Sequence, residues 1–112
     1  MTNWLDYHKA SEKAALRAEQ IGRDRCNGVT PVQQIRARAK YLEAANLEMA
    51  AFKAVPDDME RMRAILAVSV AGLRLKANDR ENCASFCRAM LDSATLPEFT
   101  CRQLKDILAE VE

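Results

Sequence analysis

The 112-residue chain carries 17 basic and 16 acidic side chains, and 49% of it is hydrophobic although only 5% is aromatic. A chain of this length fits one domain, and its near-neutral balance argues against a dedicated binder of nucleic acid or of an anionic membrane surface. Three Gly and three Pro are too few for the turns of a small all-β fold, and no stretch sustains apolar/polar alternation, so the composition predicts an all-α domain. Alanine is the commonest residue, which suits helices whose axes approach closely. The longest uncharged run that is mainly apolar, Ala64 to Leu73, is about half of what spans a bilayer. The first residues lack the basic start and apolar stretch of a secretory signal, so a cytoplasmic location is the expectation. There its four cysteines stay reduced.

Five helices with short connections are predicted in chain order. Helix A begins near Thr2 or Asn3 and runs to about Arg25, with Trp4, Tyr7, Ala14, Ala18 and Ile21 on one side at helical spacing and Ser11 interrupting them. Cys26-Asn27-Gly28-Val29 breaks it, since Asn and Gly tolerate the left-handed conformation that ends helices. Thr30-Pro31-Val32-Gln33 reads as a capping box with Pro at the first helical position. Helix B follows to about Lys53, its apolar face being Ile35, Ala39, Leu42, Ala45, Met49 and Phe52, widened by Tyr41, Ala44 and Leu47. Val55-Pro56-Asp57-Asp58 ends that helix, and Asp57 is the expected N-cap of helix C. Helix C runs to about Ala77 and is apolar almost all round, so it is expected at the centre. Ser69 and Gly72 leave a flat patch on it where another helix could pack closely. Lys76-Ala77-Asn78-Asp79 makes a tight reversal with Asn78 as the left-handed cap. Helix D, about Arg80 to Ser93, buries Cys83, Phe86, Cys87, Met90 and Leu91. Thr95-Leu96-Pro97-Glu98 reads as another capping box, and helix E buries Leu104, Ile107, Leu108 and Val111. Short connections force sequential neighbours to lie antiparallel. The domain is one unit: hairpin 1 at about 3–53, hairpin 2 at about 57–93 and a capping helix at about 97–111.

The run Leu73-Arg74-Leu75-Lys76-Ala77-Asn78-Asp79-Arg80-Glu81-Asn82-Cys83 resembles the hairpin turn of the tetratricopeptide repeat, a motif of about 34 residues per helix pair. Asn78 stands where that motif usually has Gly, Cys83 takes the small Ala site of the second helix, and Cys87 the aromatic site. Ala67 and Arg74 depart from it, standing where the motif tends to have Trp and Tyr. The resemblance covers residues 64–94, and the A–B pair shares only the outline. It implies that the first helix of each pair lines a concave groove for partner segments, with Ile65, Val68, Gly72 and Leu75 facing it.

Catalytic chemistry is hard to assemble from these residues. His8 is the only histidine, beside Tyr7 early in helix A, and a cysteine nucleophile needs a base within reach. No Gly-rich phosphate loop or metalloprotease motif occurs. Cys83 and Cys87 are one turn apart, and with Cys26, Cys101 or His8 could make a zinc site, but their place on the apolar face favours core packing. The residues therefore point to a non-enzymatic protein–protein interaction module, an adaptor, assembly factor or regulatory subunit. It would bind a peptide or helix in a groove, or self-associate. The residues fit equally a helix C covered completely by helices A and E and one that leaves part of its surface to a partner. The contact residues are Tyr7, Arg17, Ile21, Ile65, Val68 and Leu75; no cofactor, membrane or small-molecule substrate is implied. The alternative is a nucleic-acid-associated regulator using Arg23, Arg25, Gln33, Arg36, Arg38 and Lys40, with Arg17 nearby and only Glu19 and Asp24 opposing the cluster. A thiol- or zinc-dependent sensor is third.

Overall fold

The computed structural model describes residues 3–23, 30–93 and 96–112, and among these there are five α-helices and no strand. They are α1 (Trp4–Arg23), α2 (Pro31–Ala54), α3 (Glu60–Lys76), α4 (Arg80–Ser93) and α5 (Glu98–Val111). The order and class are those the sequence predicts. α1 packs chiefly on α2, α2 on α3, and α3 on both α4 and α5, which also meet each other. Side-chain contacts fix the antiparallel sense. His8 and Ser11 of α1 meet Glu48 and Ala44 of α2, and Lys76 and Ser69 of α3 meet Tyr41 and Glu48 of α2. The result is a slab of 46 × 37 × 19 Å.

The helix ends show which local signals carried. Thr30 accepts from the Gln33 backbone while the Gln33 side chain accepts from the Thr30 backbone, so the capping box forms with Pro31 at the first position. Asn78 has φ 60°, the left-handed cap the sequence predicts, and the Asp79 N–H reaches back to the Arg74 carbonyl at 2.9 Å. Asp57 is not the cap of α3. Pro56 to Met59 closes a turn first, Met59 precedes the helix, and no side chain caps it. Asp57 instead lies 3.8 Å from the Arg63 guanidinium. α5 follows Pro97, whose side chain cannot cap; Thr95 lies outside the described residues, as does the break at 26–29.

The main core joins the C-terminal part of α2 to the last three helices. Ala51, Phe52, Val55, Leu66, Ala67, Val70, Ala71, Cys83, Phe86, Cys87 and Leu104 form one buried cluster, with Trp4, Tyr7, Met49, Met59 and Met62 packed against it. Phe52 and Phe86 meet edge to face at 5.9 Å. α3 is central, as predicted, but α2 rather than α1 lies along it. Ser69 and Gly72 do not make a close-packing patch. A Cβ at Gly72 would meet nothing within 4 Å, and Ser69 makes a hydrogen bond to Glu48.

The α1–α2 pair is built from smaller side chains. Ser11, Ala14, Ala18, Ala44 and Ala45 are buried, and the Ser11 hydroxyl donates to the Ala44 carbonyl at 2.8 Å. Ser11 therefore continues the packing stripe of α1 rather than interrupting it, because a short hydroxyl satisfied by backbone fits where axes approach closely. Among the described residues no helix is long and apolar enough to cross a membrane.

Candidate functional site

α2 presents two rows of side chains that burial separates. One consists of Ala37, Ala44 and Ala51, seven residues apart, of which Ala44 and Ala51 are fully buried. The opposite side carries Val32, Ile35, Ala39, Leu42, Asn46 and Met49, spaced alternately three and four residues, the a and d positions of a heptad. Five of these six are apolar; Asn46 is the exception. Val32 and Ile35 are 65% and 66% exposed and Leu42 is 39% exposed. Ala39 and Asn46 are exposed, and only Met49 reaches the core cluster. The sequence predicted Ile35, Ala39, Leu42, Ala45, Met49 and Phe52 as a single face. The structure splits it, burying Ala45 and Phe52 and turning Ile35, Ala39 and Leu42 outward. The helix turns because alanines, not bulky side chains, let α1 close on it. Sequence reasoning missed Val32 and Asn46. The three-four spacing was the signal that could have found Val32, while a polar Asn46 reads as an ordinary solvent-facing residue.

A groove borders this seam on the α1 side, lined by Arg17, Gln20, Ile21, Arg36, Ala39 and Glu43 among others. It brings Arg17 and Ile21, expected to contact a partner, beside Gln33, Arg36 and Lys40 of the expected basic cluster. The Lys40 ammonium is 2.9 Å from the Glu43 carboxylate, so the groove is mixed in charge. Arg38 is exposed but only two positions from Arg36, and so on a different side of α2. Arg23 closes α1; Arg25 lies outside the described residues. The other expected contact residues lie elsewhere. Ile65 is 53% exposed on α3, whereas Tyr7, Val68 and Leu75 are half-buried against the core. The six do not form one surface.

The polar network that sequence reasoning missed centres on Glu48, a carboxylate only 2% exposed. It accepts from Ser69 Oγ at 2.5 Å through one oxygen and meets His8 Nδ1 at 2.8 Å through the other. His8 Nε2 faces Glu12 at 2.7 Å. Carboxylates thus stand at both ring nitrogens, Glu48 at one and Glu12 at the other. The Ser69 hydroxyl donates its hydrogen bond to the Glu48 carboxylate rather than to the His8 ring. The network ties three helices together, α1 and α3 through one buried carboxylate of α2.

Cys83 and Cys87 are buried, as the sequence predicts, and Cys101 is half-buried; all three are free thiols. Cys83 Sγ donates to the Ala71 carbonyl at 3.3 Å. Burial raises the Cys83 thiol above its ordinary pKa. Burial, together with the neighbouring Cys83, pushes Cys87 up to about 12. A thiol held neutral is a poor nucleophile and a poor metal ligand. Among the described residues no three of His, Cys, Asp and Glu are grouped as metal ligands. No family model, no curated protein and no solved structure matches this chain.

Proposed function

We propose that the protein is a non-enzymatic interaction module that docks a helix on the exposed face of α2. The observation that carries this is the outward heptad row Val32, Ile35, Ala39, Leu42, Asn46 and Met49, with its two N-terminal side chains about two-thirds exposed. Scattered surface leucines need no explanation, but a heptad row facing solvent, polar at one position, has the pattern of a helix-docking anchor row. The adjoining groove with Arg17 and Ile21 extends the surface onto α1. Ile65 belongs to a separate part of the surface, and Val68 and Leu75 contribute mainly to the core.

The tetratricopeptide-like reading applies best to α3 and α4. Asn78 in the left-handed turn and Cys83 against α3 support it, and α5 stands where the first helix of a following pair would. Two free buried thiols suit a reducing compartment such as the cytoplasm. The nucleic-acid alternative draws on Arg17, Gln33, Arg36 and Lys40 around one groove. It is weaker, since the outward face of α2 is mainly apolar where a recognition helix presents donors to base edges. The sensor reading has the raised thiols against it.

The test is affinity capture from the source cells with the wild-type chain and with Ile35→Glu and Leu42→Glu. Proteins held by the wild type and lost by both variants, at unchanged helicity, are expected. Retention of the same set by both variants would sink the reading.

A further inference from the structure

We infer that the occupant of the α2 seam is α2 of a second copy of this chain, lying parallel and in register about a two-fold axis along the seam. The inference rests on the docking reading above and deepens it by naming the partner.

Asn46 supplies the first argument. The a positions hold Val32, Ala39 and Asn46, and the d positions Ile35, Leu42 and Met49. A partner helix offering only apolar groups at this point would cover the Asn46 amide and give it nothing to bond. In a parallel, in-register pair each a residue faces its own counterpart. The two Asn46 side chains then meet, and each amide N–H can donate to the other's carbonyl oxygen. A single Asn at an a position is a known device by which paired helices fix their register and number. An antiparallel pair using the whole row would set Ala39 against Leu42 and Asn46 against Ile35. Both amides would then be left under apolar cover. In the parallel pair Ala39 on Ala39 allows close approach, and the Ile35 and Leu42 layers close over it from either side.

Charge complementarity is the second. The seam's edge toward α3 carries Arg38 and its edge toward α1 carries Glu43, both exposed. In the parallel register Arg38 lies opposite Glu43 of the second copy, the flanking pair of a two-stranded coil. Two-fold symmetry makes this pair twice, as an isologous interface requires. Glu43 accepts from Lys40 through one oxygen, and a carboxylate can take a guanidinium on the other. An antiparallel pair would match Arg36 to Glu43 instead, so the charges alone do not choose the orientation. Asn46 does.

The seam also has room for a second helix. Among the described residues α1 lies along the alanine row of α2 and α3 along Tyr41, Glu48 and Phe52, and neither lies over the heptad face. The seam is about 26 Å long at the ordinary helical rise. Its six row positions, with Arg38 and Glu43 at the edges, fall well short of the roughly 20–30 residues a side of a standard interface. The dimer is therefore a reversible one that dissociates on dilution rather than an obligate assembly.

Sedimentation equilibrium of the full chain from about 5 µM to about 1 mM tests this, a span that brackets a Kd of tens of micromolar. The mass should rise from 12.6 kDa toward twice that value, and Leu42→Glu should hold it at the monomer with unchanged helicity. Arg38→Glu alone and Glu43→Arg alone should each weaken association roughly tenfold, by placing like charges opposite each other twice. The double swap should restore it. In an antiparallel pair Arg38 faces Ala45 rather than Glu43, and the swap would not rescue. Orientation is read independently with Val32→Cys and Met49→Cys, in a background with Cys26 and Cys101 replaced by serine. Oxidising a mixture of the two should join position 32 to position 32, with little 32–49 product. A chain that stays monomeric at the highest concentration overturns the second copy as occupant. If Leu42→Glu still loses its captured partners, the docking reading survives that failure. A dimer indifferent to Leu42→Glu, or one that cross-links 32 to 49, overturns the proposed pairing.

Discussion

The two halves of this molecule are held together by different means. α1 and α2 meet through Ser11, Ala14, Ala18, Ala44 and Ala45, whereas α3, α4 and α5, joined by the end of α2, enclose Phe52, Leu66, Val70, Phe86 and Leu104. Small residues give close approach and backbone complementarity but little buried hydrocarbon, so the hairpin depends on polar links such as His8–Glu48 and Ser11–Ala44. The other half depends on area removed from water, about 1.5–3 kcal/mol for each fully buried large side chain. The same contrast explains the surface: where alanines fill the interface, Val32, Ile35 and Leu42 of α2 are left outside.

The largest test of this contrast pairs two leucines. Leu66→Ala, at a fully buried site, should cost about 2–5 kcal/mol because the cavity cannot collapse completely. Leu42→Ala, at a site 39% exposed, should change the stability of the dilute monomer by about 0.5 kcal/mol or less. Urea unfolding at low concentration measures both. Similar losses at the two positions would mean that the α2 seam is covered within the chain.

Glu48→Ala comes next, at about 2–3 kcal/mol, since it leaves His8 Nδ1 and the Ser69 hydroxyl without their partner at a buried joint. Its distribution is more informative than its size. Amide exchange should quicken through α1 and the facing part of α2, while α4 and α5 keep their protection. Uniform acceleration would show that the halves unfold as one unit and that the distinction between them is only chemical.

Most of the fold was legible in the sequence, and the failures have a common cause. The capping box at Thr30 and the left-handed Asn78 were readable because each is a local device whose partners lie within four residues. The five helices followed from spacing and punctuation. The facing of α2 was not readable: a helix apolar on more than one side satisfies several rotations, and which one is chosen depends on α1. Glu48 was invisible for the same reason. A lone carboxylate between Leu47 and Met49 reads as an ordinary surface charge until His8 and Ser69, 40 and 21 residues away, are brought to it. Asp57 failed as a cap because Pro56 closed a turn first.

Alkaline pH separates the halves without mutation. Cys83 and Cys87 both lie in the core of α3, α4 and α5, and burial holds both thiols above their ordinary value of 9.0, Cys87 at about 12. Above about pH 9 the unfolded chain releases these protons and the folded chain keeps them, so the unfolded state gains. The stabilising contribution is complete below about pH 9 and is lost as pH rises toward about 12. The melting temperature should therefore fall over that window, less steeply in Cys87→Ala than in the wild type. The α1–α2 network should loosen no earlier than the core does. Equal slopes for wild type and variant would show that the thiols do not carry the alkaline loss.

The smallest expected effect is a gain. Gly72 sits inside α3, and beyond its chain neighbours and the adjacent helix backbone nothing lies within 4 Å of where a Cβ would be; glycine in a helix interior is about 1 kcal/mol less favourable than alanine. Gly72→Ala should therefore raise stability by roughly 0.5–1 kcal/mol in urea unfolding. It should leave the concentration dependence of the mass unchanged, because docking on α2 does not involve this part of α3. If the substitution stabilised the monomer but abolished association, a second helix would have to approach α3 closely at Gly72. The interaction surface would then belong to the large-residue half of the molecule rather than to the outward row of α2. Sedimentation of this one variant beside the wild type therefore distinguishes which half of the slab the partner uses.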